Sequence, residues 1–182
     1  MLGGFERKRI MHIDTSGKLY EKRDTGIAFK ILGTGEHKGL CLTNKLKRSL
    51  DIEINADEDY ARLYSICIQN LIKEDLNNFD VLVICGDEHF VYVKLYLDSL
   101  FFGNKKYEEK QIISIGELRE LTGNPKLTSM ADGLANAYRK RASKGLWRQQ
   151  KGISLNIVLL NFEQIVTQWK KLEILKDKTG GE

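Results

Sequence analysis

The chain has 182 residues, which suits one domain of ordinary size and argues against two full domains. Apolar residues make up 42% and charged residues 30%, so the composition excludes intrinsic disorder as the default and permits a sizeable core. The 29 basic and 25 acidic residues give a net charge of +4, which allows an anionic partner without requiring one. The single proline excludes proline-rich recognition arrays.

The lengths of the apolar runs and the number of cysteines indicate the cellular location of the protein. The longest runs, Val81–Cys85 and Ile157–Leu160, are far shorter than the roughly 20 residues of a transmembrane helix. Charges near the N-terminus stand where a signal peptide needs an apolar stretch, so we expect a cytoplasmic protein with no membrane partner. The cysteines are odd in number and lie among apolar neighbours, which predicts core residues rather than disulfides or zinc ligands. They are Cys41, Cys67 and Cys85.

The first 43 residues predict an antiparallel meander. Ile10–Asp14, Thr25–Leu32 and Leu40–Thr43 are short segments of strand character, separated by turns that contain glycine. Short turns of this kind join antiparallel neighbours.

The pattern then changes to helices that alternate with strands. Asn55 is a suitable N-cap with Glu58 three residues on, and the apolar residues after it follow helical spacing. Val81–Cys85 predicts a central strand buried on both faces. The other predicted elements are a helix from His89 to about Phe102, a strand at Gln111–Ile115, a helix at Gly116–Leu121 capped by Ser114, a helix at Ser129–Ser143, a strand at Ile153–Leu160 and a last helix capped by Asn161.

This order of elements predicts an α/β layer fold with a mixed sheet. Residues 1–150 form the expected main domain, and residues 151–175 form a strand and helix extension packed on it or beside it. The extension suits extra core, a dimer contact or a substrate arm. Residues 176–182 contain no apolar side chain and predict a disordered tail.

Acidic residues fall at comparable places in several predicted elements. Asp14 ends the first strand, Asp87 follows the central strand, and Asp132 lies in the first turn of the helix from Ser129. If the first and central strands are neighbours, Asp14 and Asp87 emerge side by side. Clustered carboxylates repel one another and persist where a cation neutralises them, and their oxygens suit Mg²⁺ or Mn²⁺. Two such ions can hold a scissile phosphate and activate water.

Three segments, taken in order, resemble type 1 ribonuclease H. Ile13–Gly17 followed by Thr25–Phe29 is similar to its aspartate-bearing first strand, small-residue turn and glycine-led second strand. Val83–Val93 is similar to its fourth strand and following helix, and Gly123–Asn136 to its glycine-asparagine loop and the helix after it. Over about residues 10–145, the resemblance implies a ribonuclease H-like mixed five-stranded sheet flanked by helices. It also implies metal-dependent phosphodiester hydrolysis, usually of RNA paired with DNA.

The resemblance implies a ligand set for two Mg²⁺ or Mn²⁺ ions. Asp14, Asp87 and Asp132 match three metal-binding carboxylates of the family, with Asp14 bridging both ions. The fourth, on the first helix, is Asp59 by its spacing to the following apolar face or Glu58 by residue type. Each acid also has a structural interpretation, because turn starts, N-caps, capping boxes and the positive ends of helix dipoles all favour carboxylates.

Charge is unevenly distributed along the chain. Residues 133–162 contain no acid and six basic residues, whereas residues 51–59 contain five acids and no base. The basic stretch predicts either a solvated helix face or a surface that contacts phosphates, with an aromatic ring packed on a sugar or base. The predicted nucleic-acid contacts are Lys45, Lys47, Arg48, Arg139, Arg141, Lys144, Trp147 and Arg148.

Three functions are compatible with these patterns. The leading one is a metal-dependent nuclease that acts on RNA–DNA hybrid or structured nucleic acid. Departures from the family favour a catalytically silent ribonuclease H-like module: Leu121 lies near the place of a frequent histidine, Thr15 replaces a usual glycine, and Met130 replaces a usual polar residue. The third is a small-molecule enzyme on an unrelated α/β fold, which predicts a sizeable apolar pocket away from Asp14.

Overall fold

The computed structural model describes residues 8–50, 54, 57–85, 89–143 and 156–179. The strands are β1 (Ile10–Ser16), β2 (Thr25–Ile31), β3 (His37–Leu42), β4 (Val81–Ile84) and β5 (Gln111–Ser114). The helices are α1 (Asn44–Ser49), α2 (Asp57–Ile72), α3 (Phe90–Leu100), α4 (Lys105–Glu108), α5 (Ile115–Thr122), α6 (Asp132–Ser143) and α7 (Phe162–Thr179). No helix in the described part of the chain combines the length and apolar character needed to cross a membrane.

The strands form one mixed sheet in the order β3-β2-β1-β4-β5. β1, β2 and β3 pair antiparallel, which confirms the predicted meander. β4 pairs parallel with both β1 and β5, so the condition set for Asp14 and Asp87, that the first and central strands are neighbours, is met. The short runs of β-branched and aliphatic residues in β4 and β5 suit strands that helices cover on both sides.

One face of the sheet packs against α2, α3 and α7. Met11 and Ile13 of β1 point to this side and are fully buried together with alternate residues of the neighbouring strands. α2 contributes a broad apolar face, from Leu63 to Ile72, to the same cluster. This cluster is the main hydrophobic core of the protein.

The opposite face of the sheet is covered by α5 and α6. Val81, Val83 and Ile113 pack beneath α5. α6 lies over β1, β2 and β3, where it contacts short side chains such as Ala28. Side chains at even positions of β1, including Asp14, point to this face because strand side chains alternate.

Two glycines let α6 approach the sheet closely. A Cβ atom at Gly26 would lie 2.8 Å from the backbone nitrogen of Arg139 and would overlap the carbonyl oxygen of Ala135. A Cβ atom at Gly39 would overlap the ring of Tyr138. The missing side chains therefore set the distance between α6 and the strands.

The C-terminal extension joins the main core. Asn161 Oδ1 accepts hydrogen bonds from the first turn of α7, which confirms the predicted cap. Ile165, Trp169 and Leu172 of α7 are buried in the cluster between the sheet, α2 and α3. α7 continues to Thr179, so residues 176–179 of the predicted disordered tail are helical, and residues 180–182 lie outside the described residues.

The strand prediction at Ile153–Leu160 is wrong for its described part, which begins at residue 156. Here the chain forms one isolated parallel bridge between Ile157 and Gly39. Leu159 is 79% exposed, and the chain enters the cap of α7 two residues later. Alternating apolar residues predict a strand only where a neighbouring strand is available over the same length.

Local caps create two short helices that the sequence analysis did not predict. Thr43 Oγ1 accepts a hydrogen bond from Leu46 N, so Thr43 is the N-cap of α1 rather than the last residue of β3. Asn104 caps α4 in the same manner. The predicted cap of α5 is confirmed, because Ser114 and Glu117 form a reciprocal capping box. The three cysteines are buried thiols, as predicted.

Candidate functional site

Asp14 lies near the carboxyl end of β1, on the face that α6 covers. Its Oδ1 accepts a hydrogen bond from the backbone N–H of Thr15 at 2.7 Å, and the Ser129 hydroxyl donates a second. Burial raises the pKa of the Asp14 carboxyl, these hydrogen bonds lower it, and the negative charge of Asp132 raises it further. The net pKa is above the ordinary value, so ionised Asp14 is held in an unfavourable environment.

Asp132 reaches the same region from α6. It is the first residue of that helix and is exposed to solvent. Ala135, one turn later, packs on Ala28, which is the cross-strand partner of Asp14. The close approach of α6 to the sheet thereby brings two carboxylates from distant parts of the chain into electrostatic contact.

The end of β4 borders this pair. The backbone N–H of Cys85 donates to the carbonyl of Ile13 at 3.0 Å, which places Cys85 beside Asp14. Asp87, two residues further along the chain, lies outside the described residues. Among the residues that the structure describes, no group of three or more His, Cys, Asp or Glu side chains is arranged to hold a metal ion.

The two acids predicted on the first helix make contacts elsewhere. Glu58 accepts a hydrogen bond from the Tyr96 hydroxyl of α3. Asp59 lies 3.8 Å from the guanidinium of Arg62. That guanidinium is buried, stands 4.5 Å from the ring centroid of Trp169 in α7 and pairs with Glu173. These contacts of Glu58 and Asp59 are therefore directed toward α3 and α7.

The side of α2 that faces the end of β4 carries a tyrosine. Tyr64 is fully buried, its hydroxyl lies 3.5 Å from the carbonyl oxygen of Cys85, and burial raises its pKa well above the ordinary value. The charges of Tyr60 and Asp14 raise that pKa further, and the Tyr60 ring lies 6.1 Å from the Tyr64 ring. Because residues on a helix are about 100° apart, Glu58 and Asp59 project from α2 in other directions than Tyr60.

His12 is a buried histidine two residues before Asp14 on the same face of β1. Neither ring nitrogen has a hydrogen-bond partner within the described residues. Burial lowers its pKa, so the ring is neutral at neutral pH. It lies beside Asp14 on the strand and is 1% exposed, so its ring is not available to a substrate.

Ser129 and Tyr64 were not predicted as site residues. Ser129 follows a threonine in the polar segment before α6, and its hydroxyl also accepts a hydrogen bond from Ala131 N. A hydroxyl residue ahead of a helix is a usable signal, but it indicates a helix start. For this reason the sequence predicted that Ser129 begins a helix that extends to Ser143. Tyr64 has the spacing of a core residue, and the sequence carries no sign that it borders a carboxylate.

The predicted nucleic-acid contact Lys47 is a structural residue. Its ammonium donates to the carbonyls of Lys18, Glu21 and Arg23 and to the Thr25 hydroxyl, at 2.7 to 3.2 Å. Burial lowers the pKa of Lys47 to about 8. Only the folded loop supplies these acceptors, so the sequence did not indicate this anchoring role, and a contact of Lys47 with nucleic acid stays a prediction.

The other predicted contacts differ in exposure. Lys45 and Arg48 are exposed on α1. Arg139 is half-buried, donates to the side chain of Asn136 and lies against Gly17 in the loop after β1. Arg141 is also half-buried. Lys144, Trp147 and Arg148 lie outside the described residues.

Comparison with known proteins gives no assignment. No protein-family model, no curated protein and no solved structure matches this chain. The site consists of two carboxylates, the half-buried Asp14 and the exposed Asp132, near the carboxyl end of β1. Such an arrangement suits the binding of a hard cation or general acid–base chemistry on a substrate at the surface.

Proposed function

We propose that this protein is a ribonuclease H-like, metal-dependent nuclease that hydrolyses phosphodiester bonds. The observation that carries the proposal is the pairing of Asp14 on β1 with Asp132 on α6. The strand order β3-β2-β1-β4-β5, with an antiparallel meander and parallel β4 and β5, is compatible with that fold. Two of the three segments that resemble the family contribute Asp14 and Asp132, and the acid of the third, Asp87, lies outside the described residues.

The residues present fit a divalent cation in one respect. Burial above all raises the pKa of Asp14 and the charge of Asp132 adds to this, and a bound cation would stabilise the ionised carboxylate against both effects. Mg²⁺ or Mn²⁺ held there would polarise a phosphate and activate water. Asp14 and Asp132 would supply carboxylate oxygens, and Asp87 is the proposed third ligand.

Neighbouring residues would orient the first ligand. The backbone N–H of Thr15 and the hydroxyl of Ser129 hold the Asp14 carboxylate from two sides. Hydrogen bonds of this kind fix the direction of the remaining lone pairs and are a usual support for metal ligands. Asp132 is exposed at the start of α6, so a substrate would approach the carboxylates from that side.

The test is hydrolysis of labelled RNA–DNA hybrid, duplex DNA and single strands with Mg²⁺ or Mn²⁺. Wild-type protein should cleave at least one substrate, and Asp14→Asn and Asp132→Asn should abolish cleavage. Glu120→Gln, which changes an exposed acid on α5, should leave cleavage unchanged. Absence of cleavage by wild type, or equal cleavage by Asp14→Asn, would refute the nuclease.

A second function, a catalytically silent module that binds nucleic acid, is favoured by one observation. Glu58 accepts a hydrogen bond from Tyr96, and Asp59 pairs with Arg62. A nuclease of this family would instead have one of these two acids beside the metal ion. A silent module would bind nucleic acid equally well with and without Mg²⁺ and would cleave none of the substrates. Thermal unfolding with Mn²⁺ separates the two, because only the nuclease should be stabilised by the ion in an Asp14-dependent manner.

A further inference from the structure

A row of aromatic rings runs from the buried Tyr64 to the surface. The ring of Tyr60 lies 6.1 Å from that of Tyr64, which neighbours Asp14, and 5.1 Å from that of His89. The ring of Tyr20 lies 6.2 Å from Tyr60 on the outer side and is 53% exposed. Tilted pairs at these separations are favourable, so each ring is supported by the next.

The loop that carries Tyr20 is held in place rather than freely moving. It connects β1 to β2, and the Lys47 ammonium bonds to three of its carbonyls and to Thr25. Leu19, next to Tyr20, is buried in the main core. An exposed aromatic ring on a fixed loop loses little conformational freedom when a ligand stacks on it.

A hollow opens beside Tyr20. Its volume is about 170 Å³, and its floor is formed by Leu19, Leu50 and Leu63. A cavity of about 150 Å³ holds one benzene ring. This hollow therefore suits one planar ring and is too small for a drug-sized ligand.

Basic side chains stand at the described part of the hollow's rim. Lys22 and Arg48 line it and are exposed, and the Lys18 ammonium stands 5.3 Å from the centroid of the Tyr20 ring. Among the described lining residues, the acid is Glu21, which is paired with Arg23 at 2.5 Å. The rim therefore complements an anionic group attached to the ring that enters the hollow.

We infer that Tyr20 and the hollow beside it bind an unpaired nucleobase, with Lys22 and Arg48 contacting its phosphates. The exposed tyrosine ring and the ring-sized hollow suit a planar base, and the basic residues at the rim suit the phosphate attached to it. A base inside a duplex is stacked on both sides and cannot enter such a hollow. This inference rests on the proposed function. The substrate class that follows from it is single-stranded nucleic acid, or a duplex with an unpaired end.

The experiment measures binding of fluorescein-labelled single-stranded and blunt duplex DNA by anisotropy, in EDTA. Wild type should prefer the single strand. Tyr20→Ala should lose roughly 5- to 150-fold in affinity for it, the range of one base–aromatic stack, and Tyr20→Phe should stay within about twofold. Tyr92→Ala is the matched control, because Tyr92 is a 45% exposed tyrosine on α3 away from the hollow.

The supporting residues supply two further arms. Arg48→Gln should weaken binding and reduce its dependence on salt concentration, because one phosphate contact is removed. Lys47→Met should weaken binding through the loosened loop, whereas Lys105→Met, at an exposed lysine of α4, should not, and circular dichroism checks that each variant is folded.

Each of three results would overturn the inference. The first is equal affinity of wild type and Tyr20→Ala for the single strand, and the second is an equal loss of affinity for single strand and duplex in Tyr20→Ala. The third is no binding of the single strand by wild type. EDTA prevents cleavage, so a failed nuclease assay leaves this result intact.

Discussion

The two faces of the sheet differ in what covers them. The face under α2, α3 and α7 is filled by large aliphatic and aromatic side chains that are almost wholly buried. The face under α6 is formed by Gly26, Ala28 and Gly39, and it carries His12 and Asp14. Burial of apolar area on the first face accounts for most of the hydrophobic stabilisation, at roughly 25 cal/mol per Å².

The second face shows how a polar group is held near the centre of a small domain. Short side chains let α6 lie directly on the strands, and this contact positions Asp132 next to Asp14. The carboxylate that results has a raised pKa, which means that its ionised form is unfavourable in the folded protein. Most of the apolar burial is thus on one face of the sheet, and a carboxyl group with a shifted pKa lies on the other. Groups with shifted pKa values are often found at functional sites.

The largest effect is expected from a cavity in the large core. Ile68→Ala removes a fully buried side chain of α2 and should lower the free energy of unfolding by about 2 to 5 kcal/mol. Urea denaturation measures the loss. The pKa of Asp14, followed by carboxyl NMR, should not change, because Ile68 belongs to the opposite face. A shift in that pKa would show that the two faces are coupled.

The next effect is expected where α6 meets the sheet. Gly26→Ala places a methyl group against the backbone of Ala135 and Arg139 and should cost about 1 to 3 kcal/mol. Unlike the core cavity, it should also lower the pKa of Asp14, because α6 moves Asp132 away. A variant with normal stability and an unchanged Asp14 pKa would contradict the close approach.

The pH dependence of stability tests the strained carboxylate. Since the pKa of Asp14 is raised above 3.8, the unfolded chain loses this proton at lower pH than the folded protein. Ionisation of Asp14 should therefore reduce stability as pH rises from 3.8 through the raised pKa. Asp14→Asn should be more stable than wild type at neutral pH, and the difference should disappear below pH 3.8. Glu120→Gln, measured over the same range, should show no such crossover.

The smallest effect, and of opposite sign, is expected at a glycine that contacts nothing. Gly133 lies in the first turn of α6, is exposed, and has open space where a Cβ would lie. Gly133→Ala should raise the free energy of unfolding by about 0.5 to 1 kcal/mol, because alanine restricts the unfolded chain and favours helix. A loss comparable to that of Gly26→Ala would mean that α6 is packed on this side too.

Much of the fold was predictable because its signals are local. The spacing of apolar residues in α2, the β-branched run in β4 and the capping box at Ser114 each act within a few residues, and the structure confirms them. Short elements were missed where a single cap decides the outcome, as at Thr43 and Asn104. The strand predicted before α7 was wrong because pairing depends on a distant partner, which the sequence pattern does not reveal.

The sequence by itself determined the five strands of the sheet and its longer helices, the buried cysteines and the candidate status of Asp14 and Asp132. Tertiary structure alone decided which acids meet: the rotation of α2 directs Glu58 to Tyr96, and the glycines under α6 bring Asp132 to Asp14. It also decided that Lys47 anchors a loop. The physical reason is that periodicity fixes which residues share a face of an element, whereas the direction of that face depends on packing against segments far away in the chain.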